Sequence, residues 1–221
     1  MTQLLYAYVQ EENHKEILQF FLPDFPKDFQ EKILKYRRWE DIQLTLLGRL
    51  LLKHGLKNFG KDYKEEDLLY SDYHKPRLKC DNLKFNISHS GTIAVCIITD
   101  TNEVGIDIEK IQDINIEDFN AQMLKSELQR IQNAQDCKKA FFDFWTQKEA
   151  VIKANGKGLS IPLNIFEVIN NHTKINDEDF FLKEIEIDQE YKCYLAFKDE
   201  MIQDVIKPKR IQFFEKGKMH H

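Results

Sequence analysis

The segment Val104-Gly105-Ile106-Asp107-Ile108-Glu109 limits what this chain can fold into more sharply than any other. Its alternation marks a β-strand, with Val104, Ile106 and Ile108 on one face and Gly105, Asp107 and Glu109 on the other. Two carboxylates then project from one face, about 7 Å apart along the strand. Such a pair suits a hard cation such as Mg²⁺, which takes oxygen ligands and shares them with substrate phosphates. Taken alone, the pattern fits the exposed face of an amphipathic strand equally well. Gly105 leaves room for a ligand or another chain segment to approach closely.

A second element is Phe144-Trp145-Thr146-Gln147-Lys148-Glu149-Ala150-Val151-Ile152-Lys153. It falls in a helical pattern over residues 138–154, closed by Gly156 and Gly158. Glu149 and Lys153 share a face at i,i+4 spacing; as a surface ion pair they would contribute only about 0.3–0.5 kcal/mol. Lys148 falls inside the apolar arc of Phe141, Phe144, Trp145, Val151 and Ile152, where an ammonium needs a carboxylate or phosphate partner. A third element, Asn86-Ile87-Ser88-His89-Ser90-Gly91, offers hydroxyls, an imidazole and turn amides as a phosphate-binding corner, although a lone histidine is more often structural. A fourth, Tyr73-His74-Lys75-Pro76, sets a cation beside stackable rings. Together these groups point to a Mg²⁺-assisted enzyme acting on a phosphate ester or diphosphate.

The remaining pattern predicts an opening strand at 3–9, a helix over 28–56 stopped by Gly55, and an irregular loop at 70–79. Strands follow at LKFNISHS and IAVCIIT, then helical spacing over 116–131. Three further strands are expected at 166–169, 181–187 and 191–197. Such blocks suggest an α+β protein rather than a regular βαβ array. With 221 residues, 42% hydrophobic and 31% charged, the chain has the composition of an ordinary soluble globular protein. A net charge of -5 argues against a general nucleic-acid binder. The opening residues have neither the positive leader nor the apolar stretch of a signal peptide, and no run approaches the roughly 20 apolar residues of a membrane span. Cys80, Cys96, Cys137 and Cys193 form no CxxC pair, so free thiols in a reducing, cytoplasmic setting are expected rather than zinc.

In order and spacing, KP (75–76), FNISHSG (85–91), VGIDIE (104–109) and FWTQKEAVIKANGKGLSIPL (144–163) closely resemble the surfactin-type phosphopantetheinyl transferases. The resemblance implies an α+β fold of two similar halves in a pseudo-two-fold arrangement, residues 1–102 and 103–221, with coenzyme A in the cleft between them. It implies transfer of the 4'-phosphopantetheine arm of coenzyme A to a serine of an apo carrier protein, with Mg²⁺, by a monomer. By matched position Asp107, Glu109 and Glu149 would bind the metal. Lys153 would hold the diphosphate, Ser88 and His89 the nucleotide's phosphates, and Lys75 would lie in the adenine-side loop. Lys32 and Thr45 match phosphate-contacting positions. Glu149, Lys153 and His89 would carry the chemistry. The chain departs from the family pattern at Phe29, Leu44 and His74, with Lys27 or Arg49 as substitutes for the missing cations. It departs again at Gln122-Met123, where paired aromatics are common.

The residues by themselves also fit a Mg²⁺-dependent phosphohydrolase of nucleotides or coenzyme A, or a non-catalytic coenzyme A-binding protein. Ile111, Ile114, Ile116, Phe119, Met123 and Leu124 supply many apolar groups after the acidic motif. Core packing is the default for each of them, with an exposed docking patch for the carrier, formed by part of the set, as the alternative.

Overall fold

A computed structural model of the chain describes residues 1–79, 82–199, 205–215 and 218–219. The elements are β1 (Thr2–Tyr8), α1 (His14–Phe21), α2 (Lys27–Ile33), α3 (Trp39–Asn58), β2 (Leu68–Tyr70), β3 (Pro76–Leu78), β4 (Lys84–Ser90), β5 (Ile93–Thr99) and β6 (Val104–Lys110). They continue with α4 (Lys125–Gln132), α5 (Cys137–Asn155), β7 (His172–Ile175), β8 (Glu178–Glu184), β9 (Tyr191–Lys198), β10 (Pro208–Arg210), β11 (Phe214–Glu215) and β12 (Lys218–Met219).

Two four-stranded sheets carry the α+β architecture, in the orders β10-β1-β5-β4 and β6-β9-β8-β7. Each is backed by one long helix. The leucines of α3 pack on Leu5, Ala7, Cys96 and Ile98 of the first sheet, and Ala150, Val151 and Ala154 of α5 pack on Tyr194, Ala196 and Phe180 of the second. The opposite sheet faces meet each other: Ile93, Val95 and Ile97 of β5 join Val104, Ile106 and Ile108 of β6 in a third cluster. This explains why IAVCIIT is apolar at nearly every position. Strand β5 has a helix on one face and a sheet on the other, and all seven of its residues are buried. From the far end of the chain, β10 returns to pair in parallel with β1, and Ile211 and Phe213 join the first core.

The sheets meet along the edge strands β4 and β6, which are joined by side chains and not by a backbone ladder. Asn86 Oδ1 accepts from Ile106 N at 2.9 Å, Ser88 Oγ from Ile108 N at 3.4 Å and Ser90 Oγ from Lys110 N at 3.1 Å. These amides lie on the edge of β6 away from β9 and would otherwise be buried donors without acceptors. The two-residue period of Asn86, Ser88 and Ser90 matches the two-residue period of the amides it serves.

Several expectations need correction. The helix anticipated over 28–56 is two helices, broken at residues 34–38, and Gly55 does not stop the second. It lies inside α3, where a β-carbon would collide with Ile98 Cδ1 and meet Leu5 Cδ1 at 3.0 Å, so its smallness serves close packing. The supposed loop at 70–79 contains the antiparallel hairpin β2–β3. Residues 166–169 form no strand beyond an isolated bridge from Ile169 to His172, and β7 begins at His172. Helical structure over 116–131 is confined to a short 3₁₀ turn and α4. Cys96, Cys137 and Cys193 are free thiols, the first and last buried, while Cys80 lies outside the described residues. Among the described residues no helix is long and apolar enough to cross a membrane.

At Gly105 the helix α5 lies directly on β6. A β-carbon there would collide with the Ala150 carbonyl oxygen and the Ala154 nitrogen, and would stand 3.0 Å from Ala154 Cα. These are backbone atoms that no rotamer change can move aside. Gly105→Ala is therefore expected to lower stability by about 3 kcal/mol. Gly55→Ala, which meets only flexible side-chain ends and gains helix propensity, should lose about 1 kcal/mol or less. Urea denaturation of both variants checks this ordering; equal losses would contradict it.

Candidate active site

The close approach at Gly105 carries Glu149 and Lys153, one turn apart on α5, to the acidic face of β6. The Lys153 ammonium lies 2.6 Å from Asp107 Oδ1 and 2.8 Å from Ser88 Oγ. Ser88 donates its hydroxyl proton to Asp107 Oδ1 at 2.9 Å, and Ser90 donates to Glu109 Oε2 at 2.8 Å. The exposed-face reading of VGIDIE does not survive, because Asp107 is only 2% exposed. Its second oxygen, Oδ2, is buried with no hydrogen-bond partner among the described residues.

The electrostatics follow from this crowding. Burial pushes the Asp107 carboxyl above its ordinary value, even with Lys153 and Ser88 opposing the shift. Glu109 is raised to about 7, first by burial and then by the charge of Asp107, with Glu149 adding to it. Glu149 is raised by burial and by Asp107. Glu109 and Glu149 thus both sense Asp107 as like charge, the condition that a shared cation relieves. Among the described residues, however, no three His, Cys, Asp or Glu side chains form a ready-made metal cage.

An open cleft of about 310 Å³ runs past these groups, lined by Glu149, Ile152 and Lys153 of α5, by Asn86 and Ile87 of β4, and by the turn Tyr73–Pro76. His89 is exposed at the end of β4. Its imidazole is held below the ordinary value by the surrounding protein and then by the Lys153 charge, with Asp41 of α3 opposing. Thr45 is half-buried on α3 between Asp41 and Gly48, and Gly48 abuts Ile87. Lys32 is exposed on α2 and is not one of the residues that line the cleft. The Lys75 ammonium reaches Glu103 at 2.8 Å and the Ala154 carbonyl at 3.1 Å, tying the β2–β3 turn to the end of α5. His74 holds a left-handed conformation, φ 61°, in that turn. Phe29 and Leu44 are core residues. Arg49 is committed to Glu65 at 3.3 Å and to the Tyr70 hydroxyl at 3.0 Å.

One role differs from the sequence reading. Asn86, Ser88 and Ser90 do not form an open corner: they stitch β4 to β6. The donor and both lone pairs of the Ser88 hydroxyl are occupied by Asp107, Lys153 and Ile108 N. The apolar set after the acidic motif follows the core default and not the docking-patch alternative: Met123 is buried, and Ile111, Ile114, Ile116 and Phe119 are partly buried against Phe141 and Phe142 in a satellite core. Glu127, which no motif singled out, is the partner Lys148 required. Lys148 is fully buried, 2.9 Å from Glu127 Oε1, and donates to the carbonyls of Leu163 and Phe166 at 2.7 and 2.6 Å. Glu127 also accepts from Leu124 N at 2.8 Å, capping α4.

Lys148→Met leaves Glu127 buried without a counter-charge and should cost about 3–5 kcal/mol in urea denaturation. Adding Glu127→Gln should recover most of the loss, and a double variant no more stable than the single would contradict the pairing. Glu109 gives a pH signature. Its pKa is raised from 4.5 to about 7 in the fold, so its contribution to stability is fully present below 4.5 and lost as pH rises through about 7. Glu109→Gln is expected to flatten the melting temperature across that window and to raise it at the upper end. Parallel wild-type and variant profiles would refute the shift.

A family model described as the 4'-phosphopantetheinyl transferase superfamily matches residues 103–204, and one described as 4'-phosphopantetheinyl transferase, N-terminal, matches residues 2–101. The 4'-phosphopantetheinyl transferase gsp of Aneurinibacillus migulanus is 33% identical over 205 residues, covering 87% of this chain and 84% of its own length. The 4'-phosphopantetheinyl transferase Sfp of Bacillus subtilis (strain 168) is 30% identical over 194 residues, 83% of this chain and 84% of the relative. The two models fall on the successive parts of the chain that build the two sheets, and the relatives run through both. The chain therefore belongs to the 4'-phosphopantetheinyl transferase superfamily.

Proposed function

We propose that this chain transfers the 4'-phosphopantetheine arm of coenzyme A to a serine of an apo carrier protein, releasing 3',5'-ADP, with Mg²⁺ held by Asp107, Glu109 and Glu149. The observation that supports this reading best is the crowding of Asp107 and Glu109 of β6 and Glu149 of α5 around the Lys153 ammonium, with Glu149 and Lys153 on the lining of an open cleft. The donor set fits a hard cation: all three are oxygen ligands, two of them raised by their neighbours' charge, and Asp107 Oδ2 is buried without a partner among the described residues. Bound there, Mg²⁺ would neutralise the diphosphate oxygens and the charge that builds on the departing phosphate.

The chain's own groups divide the remaining work. Of the three acids, Glu149 is the one that lines the cleft, which makes it our choice for the base that takes the serine proton, directly or through a water. The serine oxygen then bonds to the β-phosphorus, and the bond from that phosphorus to the bridging oxygen breaks. Lys153, part-exposed at the rim, places its charge against the diphosphate. His89, at the end of β4, donates a hydrogen bond to a phosphate oxygen. Ser88 and Ser90 orient Asp107 and Glu109, while Lys75 holds the adenine-side turn in place. Lys32 and Thr45 enter as nucleotide-phosphate contacts on the resemblance. The halves on either side of residues 102–103 supply one cleft within one chain, so a monomer suffices, acting in the cytoplasm.

Incubation with coenzyme A, Mg²⁺ and an apo carrier, followed by mass spectrometry, tests the proposal. The wild-type chain should add the phosphopantetheine mass to the carrier, and Asp107→Ala should add none while keeping its circular dichroism spectrum. Normal turnover in Asp107→Ala would refute the site; loss of coenzyme A without carrier modification would indicate a hydrolase.

A further inference from the structure

Directly opposite Glu109, on the adjacent antiparallel strand β9, stands Lys192. Paired residues on such strands share a face, with β-carbons about 5 Å apart. A lysine and a glutamate so placed would ordinarily bond to each other. Here the Lys192 ammonium goes elsewhere: it lies 2.7 Å from Asp143 Oδ1 on α5 and 2.5 Å from Glu184 Oε1 on β8. Lys192 is only 8% exposed, so water does little to screen its charge. The Asp143 carboxylate is fully engaged. Oδ1 also accepts from the Tyr194 hydroxyl at 2.8 Å, and Oδ2 accepts from Gln147 Nε2 at 2.9 Å. Glu109 is left with the neutral Ser90 hydroxyl.

We propose that Asp143 and Glu184 are decoy acceptors that hold Lys192 away from Glu109, keeping that carboxylate available to the divalent cation. They are positioning residues for the transfer reaction, and the inference rests on the metal reading of the site given above. The physical need is direct. An ammonium on Glu109 would compete with the cation for the same oxygens, and a nearly buried lysine will take whatever carboxylate is within reach. Two acceptors on separate elements outbid one. Asp143 suits the task because it sits on the same helix as Glu149, so the bond that draws Lys192 aside also ties α5 to β9.

The test removes the charge and keeps the shape. In a crystal structure of the Asp143→Asn/Glu184→Gln double variant, Lys192 Nζ should lie within hydrogen-bond distance of Glu109. Titration of Mg²⁺ into the coenzyme A-loaded protein should show binding about ten-fold weaker than wild type. Adding Lys192→Met to the double variant should restore it, which a purely structural role for Asp143 and Glu184 would not. Lys192→Met alone should bind Mg²⁺ at least as tightly as wild type, a measurement that stands even if the double variant fails to fold. The inference is overturned if Lys192 stays clear of Glu109 in the double variant, if the triple variant binds no better than the double, or if Lys192→Met alone loses Mg²⁺. A coenzyme A-loaded wild-type chain that takes up no Mg²⁺ would instead sink the metal reading itself, an outcome told apart because it involves no variant.

Discussion

The structure depends on one contact, the seating of helix α5 on strand β6 with backbone against backbone at Gly105. Any side chain at that position would lift the helix off the strand, and with it Glu149 and Lys153. Helix and sheet surfaces normally meet through side chains, at a separation too large for a lysine on one to bond a buried aspartate on the other without reaching. Here the separation collapses, and Lys153 sits 2.6 Å from Asp107. The acidic pair that a strand can offer and the acid and cation that a helix can offer become one site because a glycine lies between them.

The seam between β4 and β6 does a second part of the work. An edge strand buried inside a protein leaves amides that need acceptors. Asn86, Ser88 and Ser90 supply them, and the two serine hydroxyls spend their protons on Asp107 and Glu109. The groups that join the two halves are thus the groups that aim the carboxylates. Holding the acids by short bonds to a rigid seam keeps them oriented before any ligand arrives, which is how a site avoids reorganising during reaction. Lys148 and Glu127, buried on the other side of α5, fix that helix from behind.

Much of this was legible in the sequence, and the reason is periodicity. The alternation of β6 assigned each residue to its correct face: Val104, Ile106 and Ile108 are in the inter-sheet core and Gly105 faces α5. The helical arc of α5 exposed Lys148 as a charge needing a partner. That the partner is Glu127 was not visible, since nothing local marks a glutamate for a lysine on another helix. Gly55 read as a stop because a glycine in a helix is costly unless tertiary packing requires it, and packing is not written in the local sequence. The polar residues of β4 read as a ligand corner because hydroxyls suited to phosphate equally suit amides. Lys192 and Asp143 carried no signal, as their meaning lies in a strand register and a helix placement.

The site is therefore an arrangement of like charges held together by geometry, with cations assigned to particular acids. Lys153 stands on Asp107 and Lys192 on Asp143 and Glu184, and among the described residues no lysine pairs with Glu109 or Glu149. The most direct test of this account is the anomalous scattering of Mn²⁺ in crystals of the chain with coenzyme A. A single peak between Asp107 Oδ2, Glu109 and Glu149, at metal–oxygen bonding distance from all three, is the result the account predicts. A peak bound by other residues, or density for coenzyme A with no ion at these carboxylates, would contradict it.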